Sequence, residues 1–110
     1  MVERFPCPLL GQEVELTAER RQHILDAHVD GPGVLERLGL TLARPEVALR
    51  DRLTGDLLLA RAFDFGERTR HIVGILVRDE GNADGISRLW IVTAYSARRL
   101  AVAGVRWEGI

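Results

Sequence analysis

Residues 34–63, VLERLGLTLARPEVALRDRLTGDLLLARAF, contain the point at which the periodicity of the chain changes. Ahead of Pro45, leucines recur at helical spacing, which predicts a helix over residues 34–43 that the proline ends. After Pro45 the apolar period becomes two, which predicts strands over residues 47–50 and 57–65 joined by a tight turn. The chain therefore passes from a helical part to a sheet part at this position.

The flanking segments extend the same pattern in both directions. On the N-terminal side, Thr17 is a suitable N-cap for a helix that runs to about His28. Prolines in residues 1–15 block a helix there and predict an extended lead-in. On the C-terminal side, β-branched and aromatic residues predict strands over residues 70–78 and 86–95. Short loops between consecutive strands favour an antiparallel meander.

This order of elements predicts an α+β fold in one domain that spans residues 1–110. Two N-terminal helices are expected to pack on one face of a four-stranded antiparallel sheet. The other face is then left to solvent or to a partner, and a groove for a ligand would lie there.

Composition limits the classes of function. The chain has 110 residues, a net charge of −1 and 15 basic residues, all of them arginine, so no global basic field indicates nucleic acid. A phosphate site would have to use arginine or histidine. A single cysteine, Cys7, excludes an internal disulfide and fits a cytoplasmic location. The sequence shows neither a signal peptide nor an apolar run of 18 residues, so no membrane association is expected.

Two histidines on the first predicted helix are candidates for acid–base chemistry. His23 and His28 are five residues apart, which turns them roughly 140° from each other on an ideal helix. They cannot share a metal as two histidines four residues apart can, so no metal site and no cofactor is predicted. Near the end of the helix, His28 is either a general acid or phosphate clamp, or a ring that packs and donates to a loop carbonyl.

The predicted strands carry three further candidates. Arg61 interrupts an apolar strand and requires either a partner or a cleft. Thr93 and Tyr95 project to one face of the last long strand, where they could bind a phosphate or a ribose, although both residue types are common in strands. Arg70 and His71, at the start of a strand, point to opposite faces, so one of them could reach a cleft, although a solvated strand end is expected. The basic pair at residues 98–99 is expected to be solvated.

The run LTAERRQHILDAH at residues 16–28, the strand arginine and the closing Val92-Thr93-Ala94-Tyr95 resemble the phage and toxin branch of the barnase–EndoU–colicin–RelE-like nuclease group. The resemblance extends from about residue 7 to residue 107. It implies metal-independent RNA cleavage by attack of the ribose 2′-hydroxyl on the adjacent phosphate. It also implies that Arg61 and Thr93 stabilise the phosphate, that His23 or His28 is the acid or base, and that Tyr95 orients or stacks on the substrate.

Three functions stay open at this point. The first is a small endoribonuclease, either a toxin held by an antitoxin or immunity protein or a phage-derived effector. The second is a non-catalytic binding or regulatory domain on the same scaffold, and the third is a structural homodimer. Geometry separates them, because the nuclease requires a histidine, Arg61 and Thr93 to converge on one phosphate-sized cleft.

Overall fold

A computed structural model describes residues 2–79, 87–102 and 106–110. Within these ranges the chain forms two α-helices, one short 3-10 helix (Pro8–Leu10) and seven strands. In chain order they are β1 (Val2–Cys7), β2 (Gln12–Thr17), α1 (Ala18–Ala27), α2 (Gly31–Ala43), β3 (Val47–Asp51), β4 (Leu57–Asp64), β5 (Thr69–Asp79), β6 (Arg88–Ala97) and β7 (Trp107–Gly109). Residue 86, predicted to begin the last long strand, lies outside the described ranges.

All of these strands belong to one mixed sheet with the order β1-β2-β6-β5-β4-β3-β7. The four central strands β3 to β6 form an antiparallel meander, as their short connections require. β1 and β2 form an antiparallel hairpin, and β2 joins β6 in parallel through Val14 opposite Leu89 and Glu15 opposite Trp90. β7 extends the other edge by pairing antiparallel with β3.

The prediction of a four-stranded antiparallel sheet preceded by two helices is therefore wrong. Prolines in the first 15 residues disfavour an α-helix, but they do not exclude an edge strand, where a missing N–H group is tolerated. Pro6 lies in β1 opposite Glu13, and Gly11, with a φ of 72°, provides the left-handed backbone that closes the turn to β2. The strands before the helices and β7 after the meander bring the sheet to seven.

The helix boundaries follow from local chemistry. Thr17 caps α1, because its hydroxyl accepts a hydrogen bond from the Arg20 N–H at 3.1 Å, which confirms the predicted N-cap. α1 ends at Ala27, and His28 already has an extended backbone, with φ −134° and ψ 133°. α2 begins three residues earlier than predicted, at Gly31, with a proline in its first turn.

Both helices pack against one face of the sheet, here called the helix face. α2 packs against β5 at Gly74, where a Cβ atom would make an ordinary contact with Leu38 Cδ1 at 3.6 Å. The buried side chains of this core include Val14, Leu16, Ile24, Val34, Leu38, Leu42, Leu59, Ile72, Leu76 and Leu89. Removing them from water is the main source of stability for the fold.

The opposite, helix-free face carries a smaller buried cluster of Leu58, Ala60 and Val73. Side chains from the C-terminal part of the chain, among them Leu100, Val102 and Trp107, pack against this cluster together with Tyr95. Part of the face that was expected to be solvated or covered by a partner is therefore covered by the chain itself.

A buried carboxylate fixes the turn after β3. Asp51 is only 2% exposed and accepts hydrogen bonds from the backbone N–H groups of Leu53, at 2.8 Å, and Thr54, at 3.3 Å. Its second oxygen accepts from Arg106 Nε. Burial by itself would raise the pKa of Asp51, but these hydrogen bonds together outweigh burial and hold the pKa below its usual value.

Replacing Asp51 with asparagine is expected to lower the melting temperature at pH 7 by roughly 5–10 °C. Because the pKa of Asp51 is lower in the folded state, its contribution is complete above the unfolded-state pKa of about 4 and is lost as the pH falls through the folded-state pKa. The variant should therefore lose less stability than the wild type on acidification. Thermal unfolding followed by circular dichroism between pH 2 and 7 measures both effects. Asp56→Asn, on the same turn, is the control, and equal acid slopes in the wild type and Asp51→Asn would disprove this role.

Candidate functional site

Two of the predicted site residues lie apart from the others. His23 is exposed on α1. Arg61 lies on the helix face of β4, and its Nη1 donates a hydrogen bond to the carbonyl oxygen of Arg44 at 2.8 Å. Arg44 is the C-cap of α2, so the guanidinium satisfies a terminal carbonyl at the negative end of that helix. This contact gives Arg61 a structural role.

Thr93 and Tyr95 lie on the helix-free face of β6. Thr93 is opposite Ile75 and Tyr95 is opposite Val73, whereas Ala94 packs into the core on the helix face. The two side chains are therefore next neighbours on one surface, separated by about 7 Å along the strand.

The ring of His28 lies beside the ring of Tyr95, with the centroids 6.2 Å apart and an angle of 38° between the planes. This contact follows from the topology, because β2 pairs with β6 only at Leu89 and Trp90 and leaves the rest of that edge to α1 and the residues after it. Among the residues that the structure describes, neither the His28 imidazole nor the Tyr95 hydroxyl has a hydrogen-bond partner.

The segment that carries His28 is fixed to β6 two residues further on. Ser96 donates a hydrogen bond from its hydroxyl to the Asp30 carboxylate, and Arg70 Nε donates to the same hydroxyl oxygen at 3.2 Å. The Gly31 N–H also donates to the His28 carbonyl at 3.1 Å, which closes the turn into α2. These contacts hold the backbone of residues 28–31 against the end of β6.

On its other side, Tyr95 lines a cavity of about 190 Å³ on the helix-free face, together with Arg99, Leu100 and Trp107. Burial raises the pKa of Tyr95, so the phenol stays protonated at neutral pH and acts as a hydrogen-bond donor. His71 is opposite Ala97 on the same face, one diagonal step from Tyr95, which corresponds to about 7–8 Å. We call His28, His71, Thr93, Tyr95 and Arg99 the Tyr95 site.

The structure thus brings together three of the five predicted residues, His28, Thr93 and Tyr95, and leaves His23 and Arg61 elsewhere. The expected cleft with Arg61 and Thr93 around one phosphate is not formed, because these side chains lie on opposite faces of the sheet. The sequence puts His71 on the face opposite Arg70, where it could reach a cleft, but a solvated strand end was expected there, as it was for Arg99. Nothing in the pattern shows that residues 98–102 fold back over the sheet.

The described ranges give little support for a metal site, a reactive cysteine or a membrane-spanning helix. No three side chains from His, Cys, Asp and Glu lie close enough there to hold a metal ion. Cys7 is 1% exposed, and burial raises the pKa of its thiol, which disfavours the reactive thiolate. Neither helix is long and apolar enough to cross a membrane.

Comparisons of the chain with protein-family models, with curated proteins and with solved structures find no match. The resemblance to the nuclease group therefore stays a prediction from the sequence.

Proposed function

We propose that this protein is a small endoribonuclease that cleaves RNA without a metal ion, at the Tyr95 site. Arg61 lies on the opposite face from Thr93, so the cleft first required of a nuclease is not formed, and the proposal gives the role of phosphate-binding arginine to Arg99 instead. The observation that carries the proposal is the contact between the His28 and Tyr95 rings, with Arg99 on the other side of Tyr95. RNA cleavage by the 2′-hydroxyl requires a base, an acid and donors to the charge that develops on the phosphate, and an imidazole, a protonated phenol and a guanidinium can supply these roles.

In the proposed reaction, one imidazole accepts the proton of the ribose 2′-hydroxyl while the 2′-oxygen attacks the adjacent phosphorus. The bond from phosphorus to the 5′-oxygen breaks, and a second imidazole donates a proton to that oxygen. His28 and His71 are the two imidazoles next to Tyr95. The Tyr95 hydroxyl and Arg99 stabilise the negative charge that develops on the phosphate, and Thr93 offers a further hydroxyl.

The partners follow from this chemistry. RNA is the proposed substrate, and an antitoxin or immunity protein would inhibit the enzyme by covering the helix-free face. A cytoplasmic location fits a single buried cysteine and a substrate that is abundant there.

A second candidate, a binding domain without catalysis on the same scaffold, is favoured by one observation. Several arginines form ion pairs with acidic neighbours, for example Arg50 and Arg52 with Glu108 and Arg21 with Glu3, and these arginines are less able to hold the phosphates of a long RNA. Binding of a ligand in the cavity beside Tyr95 without any change in the ligand would support this candidate.

RNA incubated with the purified protein is expected to be cleaved equally well with and without a chelator. The products should end in a 2′,3′-cyclic phosphate and a 5′-hydroxyl, because the 2′-oxygen replaces the 5′-oxygen on phosphorus. Gel electrophoresis and mass spectrometry of the fragments measure both outcomes. Intact RNA after incubation with a high concentration of folded protein would refute the nuclease, and loss of cleavage with the chelator would refute its metal-independent mechanism.

A further inference from the structure

The cavity on the helix-free face has a size and lining that the proposed cleavage reaction does not explain. β6 ends at Ala97, and the following residues 98–102 turn back over the sheet and form one wall. Trp107 and Tyr95 contribute aromatic surface, and two small residues, Ala97 and Ala101, leave the space between them open. This pocket is distinct from the contact between His28 and Tyr95, although Tyr95 belongs to both.

We propose that this pocket holds one unpaired nucleobase of a single-stranded RNA, stacked on aromatic surface from Tyr95 and Trp107. The proposal rests on the nuclease function and names the form of RNA that the site accepts. A base inside a duplex is paired and stacked on its neighbours, so it cannot enter a pocket of this kind.

The volume fits a single planar ring system. The cavity measures about 190 Å³, and an apolar cavity of about 150 Å³ is enough to bind benzene. One base fits into such a space, whereas two stacked bases or a peptide helix do not.

The lining is complementary to a base that carries a phosphate. Among the described residues that line the cavity, Arg99 alone is charged, and no carboxylate opposes it. Aromatic side chains and a guanidinium plane are the surfaces on which proteins stack unpaired bases, and the same guanidinium attracts the phosphate next to the base.

The position of the pocket connects recognition to the reaction. Tyr95 contacts the His28 ring and also lines the cavity, so a base in the pocket would lie on one side of Tyr95 and the imidazole on the other. Holding the base would orient the 2′-hydroxyl and the phosphorus next to the groups that transfer protons.

The test uses the fluorescence of Trp107 as a binding signal that does not depend on cleavage. The chain has two tryptophans, and Trp90 does not line the cavity, so Trp90→Phe leaves Trp107 as the reporter. The probe is a six-nucleotide RNA with 2′-O-methyl groups, which cannot be cleaved because its 2′-oxygens are blocked. We expect saturable quenching by the single strand, and binding at least about tenfold weaker when the same strand is paired with its complement.

Ala97→Leu and Ala101→Leu fill the pocket from two sides, and each should weaken binding by at least about tenfold. Ala18→Leu, at the exposed start of α1, is the matched control and should bind as the parent does. Quenching without any cleavage of unmodified RNA would refute the nuclease and keep the base pocket. Cleavage without quenching, or quenching that both filled variants retain, would overturn the base pocket and leave the nuclease in place.

Discussion

The His28→Ala variant is expected to cleave RNA about 10²–10⁴-fold more slowly than the wild type, because it lacks one of the two groups that transfer protons. The loss should appear mainly in kcat, since the imidazole acts on the transition state, whereas KM should change little. His28 has an extended backbone after α1, so alanine at this position does not disturb a helix. Initial rates on a short fluorescent RNA, with circular dichroism to confirm folding, measure the effect.

His23→Ala is the matched control for this experiment. It removes the same side chain from the exposed surface of α1, outside the Tyr95 site, and should retain the wild-type rate. Tyr95→Phe keeps the ring against His28 but removes the donor, and should slow cleavage by about 10²-fold. A His28→Ala variant that keeps the wild-type rate, or an equal loss in His23→Ala, would contradict the assignment of His28.

The Gly31→Ala variant is expected to be the least stable of the glycine variants. A Cβ atom at Gly31 would lie 2.9 Å from both the carbonyl oxygen of Ile24 and the Cα atom of Leu25, and both are backbone atoms that cannot rotate away. α2 must therefore move away from α1, at a cost of about 2–3 kcal/mol. For a chain of this size, the melting temperature should fall by about 10 °C.

The same displacement would move the turn that holds His28 against β6, so the variant should also cleave RNA more slowly at temperatures where it is folded. Gly33→Ala, two residues further along α2, is the control. A Cβ atom there meets only the Arg37 side chain at 3.5 Å and Phe65 at 3.8 Å, which are ordinary contacts. Alanine also favours the helix, so this variant should be as stable as the wild type or more stable by about 0.5–1 kcal/mol. Equal melting temperatures for the two variants would show that the interhelical contact at Gly31 is not tight.

Local patterns predicted the individual elements well, because the spacing of apolar residues in a helix or a strand depends only on residues that are close in sequence. The helix expected from Thr17 to about His28 is α1, one residue shorter, and the strand expected at residues 57–65 is β4, also one residue shorter. The sheet itself could not be predicted in the same way. Val14 pairs in parallel with Leu89, and no pattern within either segment indicates the other as its partner. In sequence, a proline-containing edge strand also has the same pattern as an extended lead-in.

The same distinction between local pattern and long-range folding applies to the residues of the candidate site. Alternation correctly put Thr93 and Tyr95 on one face, since it depends only on strand geometry. Arg61 was correctly placed on the apolar side, but its partner is a backbone carbonyl at the end of α2, which a residue pattern does not reveal. Arg99 became part of the site only because the chain folds back after β6, so a basic pair that looked solvated borders a cavity.

The parallel pairing of β2 with β6 also has a consequence for synthesis on the ribosome. Val14 and its partner Leu89 are 75 positions apart (89 minus 14), so the N-terminal hairpin emerges long before the strand that receives it. Until that strand is translated, one edge of the hairpin has open N–H and C=O groups, the kind of edge at which nascent chains associate wrongly. The hairpin of β1 and β2 is thus completed only after both helices and the strands β3 to β5 have been translated.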